Sequence, residues 1–345
     1  MAALTAALML SITSCPNPES TPDIPGVPTG LTAEPWDQQI TLDWDPTALA
    51  TGYYLYWSTV PGAGMGGTQV GPVMPQYTHH SLTNGTVYYY VVTAFNDDGE
   101  GAASGEVSAE PFEPILLSSI SFADTNLETC VNNTSYTYAH EVTQLECESK
   151  GITDLGGIEN LTNMERLDLS NNLITDVSEL GFLVALTELD LGGNSITSVL
   201  PLQYLSDLTQ LDLNGNTISD LDPLQHLGAI TNLNLADNNI SSLSGIEDLT
   251  TLTELNLGSN ALTSVADLSN LTELTSLRLE HNDLTILTGL ATLTKLTTLV
   301  ASYNDLSNVS AISALPNITE LDLAENSITD VSALDDLTSL TSLTL

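Results

Sequence analysis

The chain has 345 residues, of which 42% are hydrophobic, enough for about two or three domains. It carries 44 Asp and Glu residues against 4 Lys and Arg residues, a formal net charge of −40. Because so acidic a surface repels nucleic acids and anionic lipids, neither is expected as a partner. Cations, basic proteins or a salty medium that screens the charge are favoured instead. A regular apolar pattern in the second half of the chain argues against disorder.

Residues 1–15 form a short apolar segment that ends in a cysteine, and residues 16–26 are rich in Pro, Ser and Thr, as in a linker. The apolar segment is too short to span a bilayer. Together with Cys15 it resembles a bacterial lipoprotein signal, and this resemblance implies that Cys15 is lipidated. No Lys or Arg precedes the apolar residues, and an ordinary signal peptide is the alternative.

Residues 27–111 show alternating apolar positions separated by turn residues, which predicts a β-sandwich of about seven strands. The expected strands are Gly30–Ala33, Gln39–Trp44, Tyr53–Ser58, Val87–Asn96 and Gly105–Ala109. The segments Leu31–Ala33, Ile40–Trp44, Gly52–Trp57 and Leu82–Tyr88 resemble the core strands and the tyrosine corner of a fibronectin type III domain. Integrin recognition does not follow from this resemblance, because the Arg-Gly-Asp tripeptide is absent from the sequence.

Three features of this domain could be mistaken for sites. Residues 62–67 match G-x-G-x-x-G but lie between predicted strands, so a loop is favoured over a nucleotide site. The residues His79-His80 have no companion ligands at metal spacing and are expected in an exposed loop. The tryptophans are expected to pack in the core or at its rim rather than to bind sugars, and they are Trp36, Trp44 and Trp57.

Residues 112–141 connect the two sequence patterns. Thr125–Glu128 fits a capping box and predicts a helix whose apolar face includes Leu127 and Cys130. We expect this segment to cover the first coil of the repeats that follow. A disulfide between Cys130 and Cys147 is favoured over two free thiols, because an exported chain meets an oxidising compartment.

Residues 142–345 repeat one pattern every 22 residues, L-x-x-L-x-L-x-x-N-x-I-x-x-V-x-x-L-x-x-L. The L-x-L step predicts a short strand, and the later three-residue spacing predicts a tight helical turn on the opposite side. One such coil cannot bury its apolar face alone. The pattern therefore predicts an α/β leucine-rich repeat solenoid with a parallel concave sheet and short helical turns on the convex side. The last repeat is incomplete, and we expect further repeats in a longer protein.

An asparagine recurs where the chain turns off each predicted strand. Its amide can satisfy backbone groups that lose their ladder partners, so we expect a structural role for the whole set. The members are Asn172, Asn194, Asn216, Asn238, Asn260, Asn282, Asn304 and Asn326.

The 22-residue period, the leading cap and the signal-like segment together resemble the internalin-type class of bacterial leucine-rich repeat proteins. The resemblance implies a monomeric cell-envelope protein, lipid-anchored at the outer membrane or cell surface or else secreted. It also implies that the concave face binds a protein or glycan, without indicating which one. The alternative is a structural or targeting arm for a catalytic or anchoring region beyond residue 345.

Outward positions on the concave face contain two candidate sites. Asp168, Asp190 and Asp212 form a column of like charges, which is interpreted as a solvated acidic face. The alternative is a strip that binds a basic partner or a cation, with calcium as the candidate. The second site breaks the repeat pattern, and because Arg and Tyr often anchor interfaces, we hypothesise a partner-binding patch there. Random drift between coils is the other interpretation of its residues, which are Arg278, Glu280, His281, Val300, Tyr303 and Asp322.

The sequence contains no G-x-S-x-G, Walker lysine loop, H-E-x-x-H or C-x-x-C motif. Its carboxylates recur because the register recurs, and an open concave face does not supply the unequal environments of a catalytic acid pair. We therefore expect neither catalysis nor a cofactor.

Overall fold

The computed structural model describes residues 23–62 and 64–345, so Cys15 and the lipoprotein-like segment lie outside the described residues. The chain divides into two compact units, Met1–Pro114 and Ile115–Leu345. A search of the described residues finds no helix with the length and apolar character needed to cross a membrane.

The first unit is built from antiparallel strands in two sheets. Its strands are β1 (Thr32–Trp36), β2 (Gln39–Asp43), β3 (Gly52–Ser58), β4 (Thr68–Val73), β5 (Tyr77–His80), β6 (Tyr88–Asn96), β7 (Gly99–Glu100) and β8 (Val107–Ala109). One sheet has the order β1-β2-β5 and the other the order β4-β3-β6-β7, with β8 also paired to β6. The predicted fibronectin type III-like sandwich is confirmed.

The sandwich core follows the period-two pattern of the sequence. Ile40 and Leu42 on β2 are fully buried and alternate with less buried neighbours, and Leu55 and Tyr90 are fully buried in the facing sheet. Trp44 is also buried, at 3% exposure.

Three strands, β4, β5 and β7, were absent from the predicted set. The Gly71-Pro72 pair inside β4 and Pro75 before β5 are turn signals in sequence, and β7 has two residues. Residues 62–67 contain a 3₁₀ turn, Gly64–Gly66, and lead into a strand rather than the helix that a dinucleotide site requires.

The expectation of an exposed loop at His79-His80 was wrong, because both residues lie on β5. His79 is half-buried, and its Nδ1 lies 3.0 Å from the hydroxyl of Tyr90. Its ring also packs against Trp57, with 5.1 Å between centroids. Burial, with a smaller contribution from His80, lowers the pKa of His79. The sandwich therefore favours a neutral imidazole at this position.

The second unit begins with a cap helix, α1 (Thr125–Asn132). The predicted capping box was wrong by one residue, because Asp124 is the N-cap. Its Oδ1 accepts hydrogen bonds from the backbone N–H groups of Asn126 (2.7 Å) and Leu127 (3.2 Å). Its Oδ2 accepts hydrogen bonds from the backbone N–H and the hydroxyl of Thr153, both at 2.9 Å. Burial disfavours the charge of Asp124, but these four bonds together outweigh burial and lower its pKa.

A disulfide also joins the cap to the first coil. The Cys130 and Cys147 sulfurs are bonded, with 5.9 Å between the Cα atoms. Both side chains lie in the same apolar core as Leu127 and Leu145. The carboxylate of Asp124 and this disulfide therefore hold the cap over the first coil.

Ten short parallel strands form the concave sheet, in sequence order. They are β9 (Gln144–Glu146), β10 (Arg166–Asp168), β11 (Glu188–Asp190), β12 (Gln210–Asp212), β13 (Asn232–Asn234), β14 (Glu254–Asn256), β15 (Ser276–Arg278), β16 (Thr298–Val300), β17 (Glu320–Asp322) and β18 (Ser342–Thr344). Each residue pairs with the residue 22 positions later, as Leu167 does with Leu189.

Short 3₁₀ turns occupy the other side of the coils, so the predicted leucine-rich repeat fold is confirmed. Leucines such as Leu189, Leu202 and Leu208 are at most 3% exposed and fill the space between sheet and turns. The turns of the unit are Leu117–Ser119, Ala139–Glu141, Ile158–Asn160, Ser178–Phe182, Leu200–Tyr204, Asp222–His226, Ala266–Asn270, Leu290–Thr292, Ser310–Ala314 and Ser332–Leu334.

The recurring asparagines bond one coil to the coil before it. In a representative member, Nδ2 of Asn238 donates to the carbonyls of Leu213, Leu235 and Ala236 at 3.0–3.1 Å. Its Oδ1 accepts from the N–H of Ile218 at 3.0 Å. The same bonds to the preceding coil are made by every asparagine of the set.

A threonine ladder, which the sequence analysis missed, runs beside the strands. Each hydroxyl donates to the carbonyl of the residue 22 positions earlier, at 2.9–3.1 Å. Its members are Thr187, Thr209, Thr231, Thr253, Thr275, Thr297, Thr319 and Thr341. Their exact 22-residue spacing was the available signal.

We predict that Asn238→Ala lowers the free energy of unfolding of the second unit by about 3 kcal/mol, because it leaves several buried backbone groups without a partner. Denaturant unfolding followed by far-UV circular dichroism measures this change. Asn239→Ala is the matched control, since that neighbouring side chain is exposed. Equal effects of the two variants would contradict the structural role of the ladder.

We also predict that the first unit loses stability as the pH falls below about 6.5, the ordinary histidine pKa. The unfolded state then binds a proton at His79 that the folded state resists, because the pKa of His79 is lowered by folding. Tryptophan fluorescence reports this selectively, since Trp36, Trp44 and Trp57 all lie in the first unit. His79→Gln should reduce the pH dependence, and His80→Gln at the exposed neighbour should reduce it much less.

Candidate functional site

The concave sheet carries a groove of about 520 Å³. Its lining runs from Gln144 on β9 to Arg278 on β15 and includes two outward columns of side chains. The first column is Gln144, Arg166, Glu188, Gln210, Asn232, Glu254 and Ser276, and the second is Glu146, Asp168, Asp190, Asp212, Asn234, Asn256 and Arg278. The sequence analysis considered the second column and missed the first, although both follow from the alternation of side chains along each strand.

The aspartate column has a hydrogen-bonded structure of its own. Oδ1 of Asp168 accepts from the N–H of Ser170 at 2.9 Å, and that of Asp190 accepts from the N–H of Gly192 at 2.8 Å. One oxygen of each carboxylate is thus used within its own coil.

The middle aspartate, Asp190, has the least favourable position of the three for a negative charge. Burial raises the pKa of Asp190, against the hydrogen bond from Gly192, and the charges of Asp212 and Asp168 raise it further. The register places the three aspartates side by side on adjacent strands. On its other side, Asp212 has a neutral neighbour that stabilises its charge, because its Oδ2 accepts a hydrogen bond from Nδ2 of Asn234 at 2.8 Å.

A search of the described residues for groups of three or more His, Cys, Asp or Glu side chains that could hold a metal ion finds none. Calcium binding by the aspartate column stays the alternative to a solvated acidic face.

The two arginines of the groove both contact carboxylates. Nη2 of Arg166 lies 2.9 Å from Oε2 of Glu188, with the arginine side chain 63% exposed. Arg278 donates through Nε (3.2 Å) and Nη2 (2.9 Å) to the same oxygen, Oε1 of Glu280. Exposed pairs of this kind add little to stability, so their main effect is to offset the positive charges in the groove.

His281 and Tyr303 form a stacked pair on adjacent coils. Their ring centroids lie 4.3 Å apart, with 13° between the ring planes. Both residues have a left-handed backbone, with φ of 57° and 56°. The fold requires this conformation at the residue before each ladder asparagine, where other coils carry Gly193 or Gly215. The other non-glycine residues at this position carry no ring, and they are Asn171, Asp237, Ser259 and Glu325.

The hypothesised patch is brought together only in part. Arg278, Val300 and Asp322 are side by side in register on β15, β16 and β17. Val300 is 8% exposed, whereas Tyr303 is 51% exposed. The groove lining includes Arg278 and ends there, so the other five patch residues lie beyond the groove.

Comparison with known protein families identifies both units. Models of leucine-rich repeats match residues 141–181, 184–226, 229–284 and 314–334. The model of the fibronectin type III domain matches residues 26–110.

Solved structures and a curated sequence also resemble the chain. An internalin (InlF) from Listeria monocytogenes is 31% identical with a TM-score of 0.58, over 67% of this chain and 78% of that one. Internalin C2 (InlC2) from the same organism is 31% identical with a TM-score of 0.53, over 67% of this chain and 97% of that one. An amylopullulanase from Thermoanaerobacter thermohydrosulfuricus is 34% identical over 131 residues, which is 37% of this chain. The matched part of this chain spans 8% of that enzyme's length.

We predict that Asp190→Asn stabilises the second unit at pH 7 by less than about 1 kcal/mol, because it removes the central charge of the aspartate column. The gain should vanish in acid, since a group with a raised pKa is itself neutral there. Denaturant unfolding at both pH values measures the change. Asp322→Asn is the matched control, because its Oδ1 also accepts an N–H from its own coil but its neighbours in register are Val300 and Thr344.

Proposed function

Because this chain belongs to the internalin-type family of leucine-rich repeat proteins, we propose that it is a noncatalytic binding protein whose concave face holds a protein partner. The fold suggests protein binding or adhesion as its general role. One observation carries the proposal: the concave face has a continuous groove, and the repeat pattern is broken at its edge by Arg278, His281 and Tyr303. If these coils only extended the solenoid, they would not need residue types that differ from those of the other coils.

The charges of the groove favour a partner with basic residues. Arg166 and Arg278 are paired with Glu188 and Glu280. The remaining carboxylates of the lining have no lysine or arginine paired with them among the described residues, and they are Glu146, Asp168, Asp190, Asp212 and Glu254. A basic surface laid over these strands would be attracted at long range and would relieve their mutual repulsion.

The amide side chains of the groove support a glycan as a further class of ligand. Asn232, Asn234 and Asn256 offer both donors and acceptors at the centre of the lining. Sugar hydroxyls could pair with such groups, so the binding test includes glycans.

We further propose a cell-envelope location, with a lipid anchor at Cys15 or export without an anchor. The support is the resemblance of residues 1–15 to a lipoprotein signal. A second candidate function, a structural or targeting arm of a longer protein, is supported by the similarity to a small part of an amylopullulanase.

We predict that the purified chain captures a partner from an array of glycans and envelope proteins, and that Arg278→Ala/His281→Asn/Tyr303→Asn weakens capture by about tenfold or more. Asparagine is chosen because it tolerates the left-handed backbone, as Asn171 does in the same register. The unfolding midpoint should stay unchanged.

The matched control is Asp237→Asn/Ser259→Asn, which changes the register positions of His281 and Tyr303 two coils earlier and leaves the groove lining intact. Its capture should stay within about twofold of the unmodified chain, because these residues lie outside the patch. Equal losses in the triple variant and in this control would contradict a binding role of the patch. Absence of any capture would favour the structural or targeting arm.

A further inference from the structure

The guanidinium of Arg278 is held in one place before any partner arrives. Both Nε and Nη2 donate to Oε1 of Glu280, which fixes the plane of the guanidinium and leaves Nη1 unused by this pair. The other oxygen of Glu280, Oε2, is enclosed and accepts no hydrogen bond within the described residues. The side chains of Arg278 and Glu280 are 47% and 20% exposed, so water screens the pair in part, and the two hydrogen bonds favour the paired state by a modest amount.

Glu280 can take this position because the coil before it has no side chain there. A Cβ added to Gly258 would lie 2.9 Å from Cδ of Glu280 and 3.0 Å from its Oε1. Gly192 has the same relation to Asn214, whose Nδ2 would lie 2.6 Å from an added Cβ. Each of these glycines lies one coil before a polar residue, and the side chain of that residue packs over the glycine. Glu280 and Gly258 thus act on Arg278 as positioning residues.

The surroundings of Arg278 select the charge of the group it can bind. Its own charge is offset by Glu280, and its neighbours in register, Asn256 and Val300, are neutral. The column continues into Asp322 on one side, and the chain as a whole carries a formal charge of −40. An incoming carboxylate would meet this field with no uncompensated cation to attract it, whereas a carbonyl oxygen would still accept the free N–H groups.

We propose that Arg278, positioned by Glu280 across Gly258, is a preset hydrogen-bond donor for a neutral oxygen of a partner segment that also carries an aromatic ring. The ring is assigned to the stacked pair of His281 and Tyr303, because Tyr303 is 51% exposed and aromatic rings pack favourably on one another. This inference rests on the proposed function and names the chemistry of the partner at one end of the concave face.

The positioning of Arg278 can be measured without a partner. Arg166 and Arg278 are the two arginines of the chain, so arginine labelled with ¹⁵N gives two side-chain Nε–H signals. Nε of Arg278 is hydrogen-bonded, whereas the contact of Arg166 is made through Nη2. We expect exchange of the Arg278 Nε–H with water to be about tenfold slower than that of Arg166.

Two glycine variants test the cause of this protection. Gly258→Ala should displace Glu280 and bring the Arg278 exchange rate to within about twofold of the Arg166 rate. Gly192→Ala introduces a similar close contact, with Asn214, and should leave the Arg278 rate unchanged. Both variants should unfold at similar denaturant concentrations, because a flexible side chain can move aside in each. Fast exchange at Arg278 in the unmodified chain, or no effect of Gly258→Ala, would overturn the positioning role of Glu280.

A pair of probes tests the partner chemistry. N-acetyltryptophan amide has a neutral terminal amide, and N-acetyltryptophan has a carboxylate on the same framework. We expect the amide, at millimolar concentration, to shift the Arg278 signal at least threefold more than the acid does, and to shift the Tyr303 ring signals as well. An equal or larger shift with the acid, or no shift with either probe, would overturn the proposal. Array capture that persists alongside such a result would leave the proposed binding function intact.

Discussion

Every coil of the second unit leaves backbone groups that only the next coil can satisfy. The L-x-L strand is three residues long, and beyond it the chain turns away from its ladder partners. The inward amide of each ladder asparagine then bonds carbonyls of its own coil and of the coil before it, as Asn238 does with Leu235 and Leu213. The spacing of 22 residues is maintained because an insertion inside a coil would break these bonds and move the leucines out of the core.

The same register arranges the concave face in fixed columns. A residue at a given position lies beside the residue 22 places away. Similar side chains therefore form columns whether or not their contact is favourable. The contacts within the column of Asp168, Asp190 and Asp212 are unfavourable because the carboxylates repel one another. Hydrogen bonds from the backbone and from Asn234 reduce the cost of this repulsion. The contact between His281 and Tyr303 is favourable, since rings one coil apart can stack. Binding specificity in such a scaffold comes from the few coils that depart from the repeated residue types.

The first coil is a special case because it has no coil before it. The cap supplies the missing neighbour through the helix Thr125–Asn132, the carboxylate of Asp124 and the disulfide between Cys130 and Cys147. Asp124 is 8% exposed and accepts four hydrogen bonds, two from the helix start and two from Thr153. A single carboxylate therefore couples the start of the helix to the first coil. Such coupling protects an apolar end that would otherwise face water.

The sequence by itself determined the solenoid, its period, the asparagine ladder and the sandwich ahead of it, because these depend on residue spacing repeated many times. It also located one of the two outward columns of the concave face, since alternation along a strand decides which side chains point outward. Single events were less predictable. Asp124, the N-cap, also bonds Thr153, and His79 lies beside Tyr90 on another strand, and neither contact follows from the local sequence.

Only the tertiary structure decided how the candidate patch is assembled. The register placed Arg278, Val300 and Asp322 in one row, but it did not show that Glu280 folds back across Gly258 to hold Arg278, or that Val300 is buried while Tyr303 is exposed. These outcomes depend on side-chain rotamers and on the space left by a glycine one coil earlier. Periodicity carries no information on either, because it specifies the backbone position of a residue and not the rotamer of its side chain.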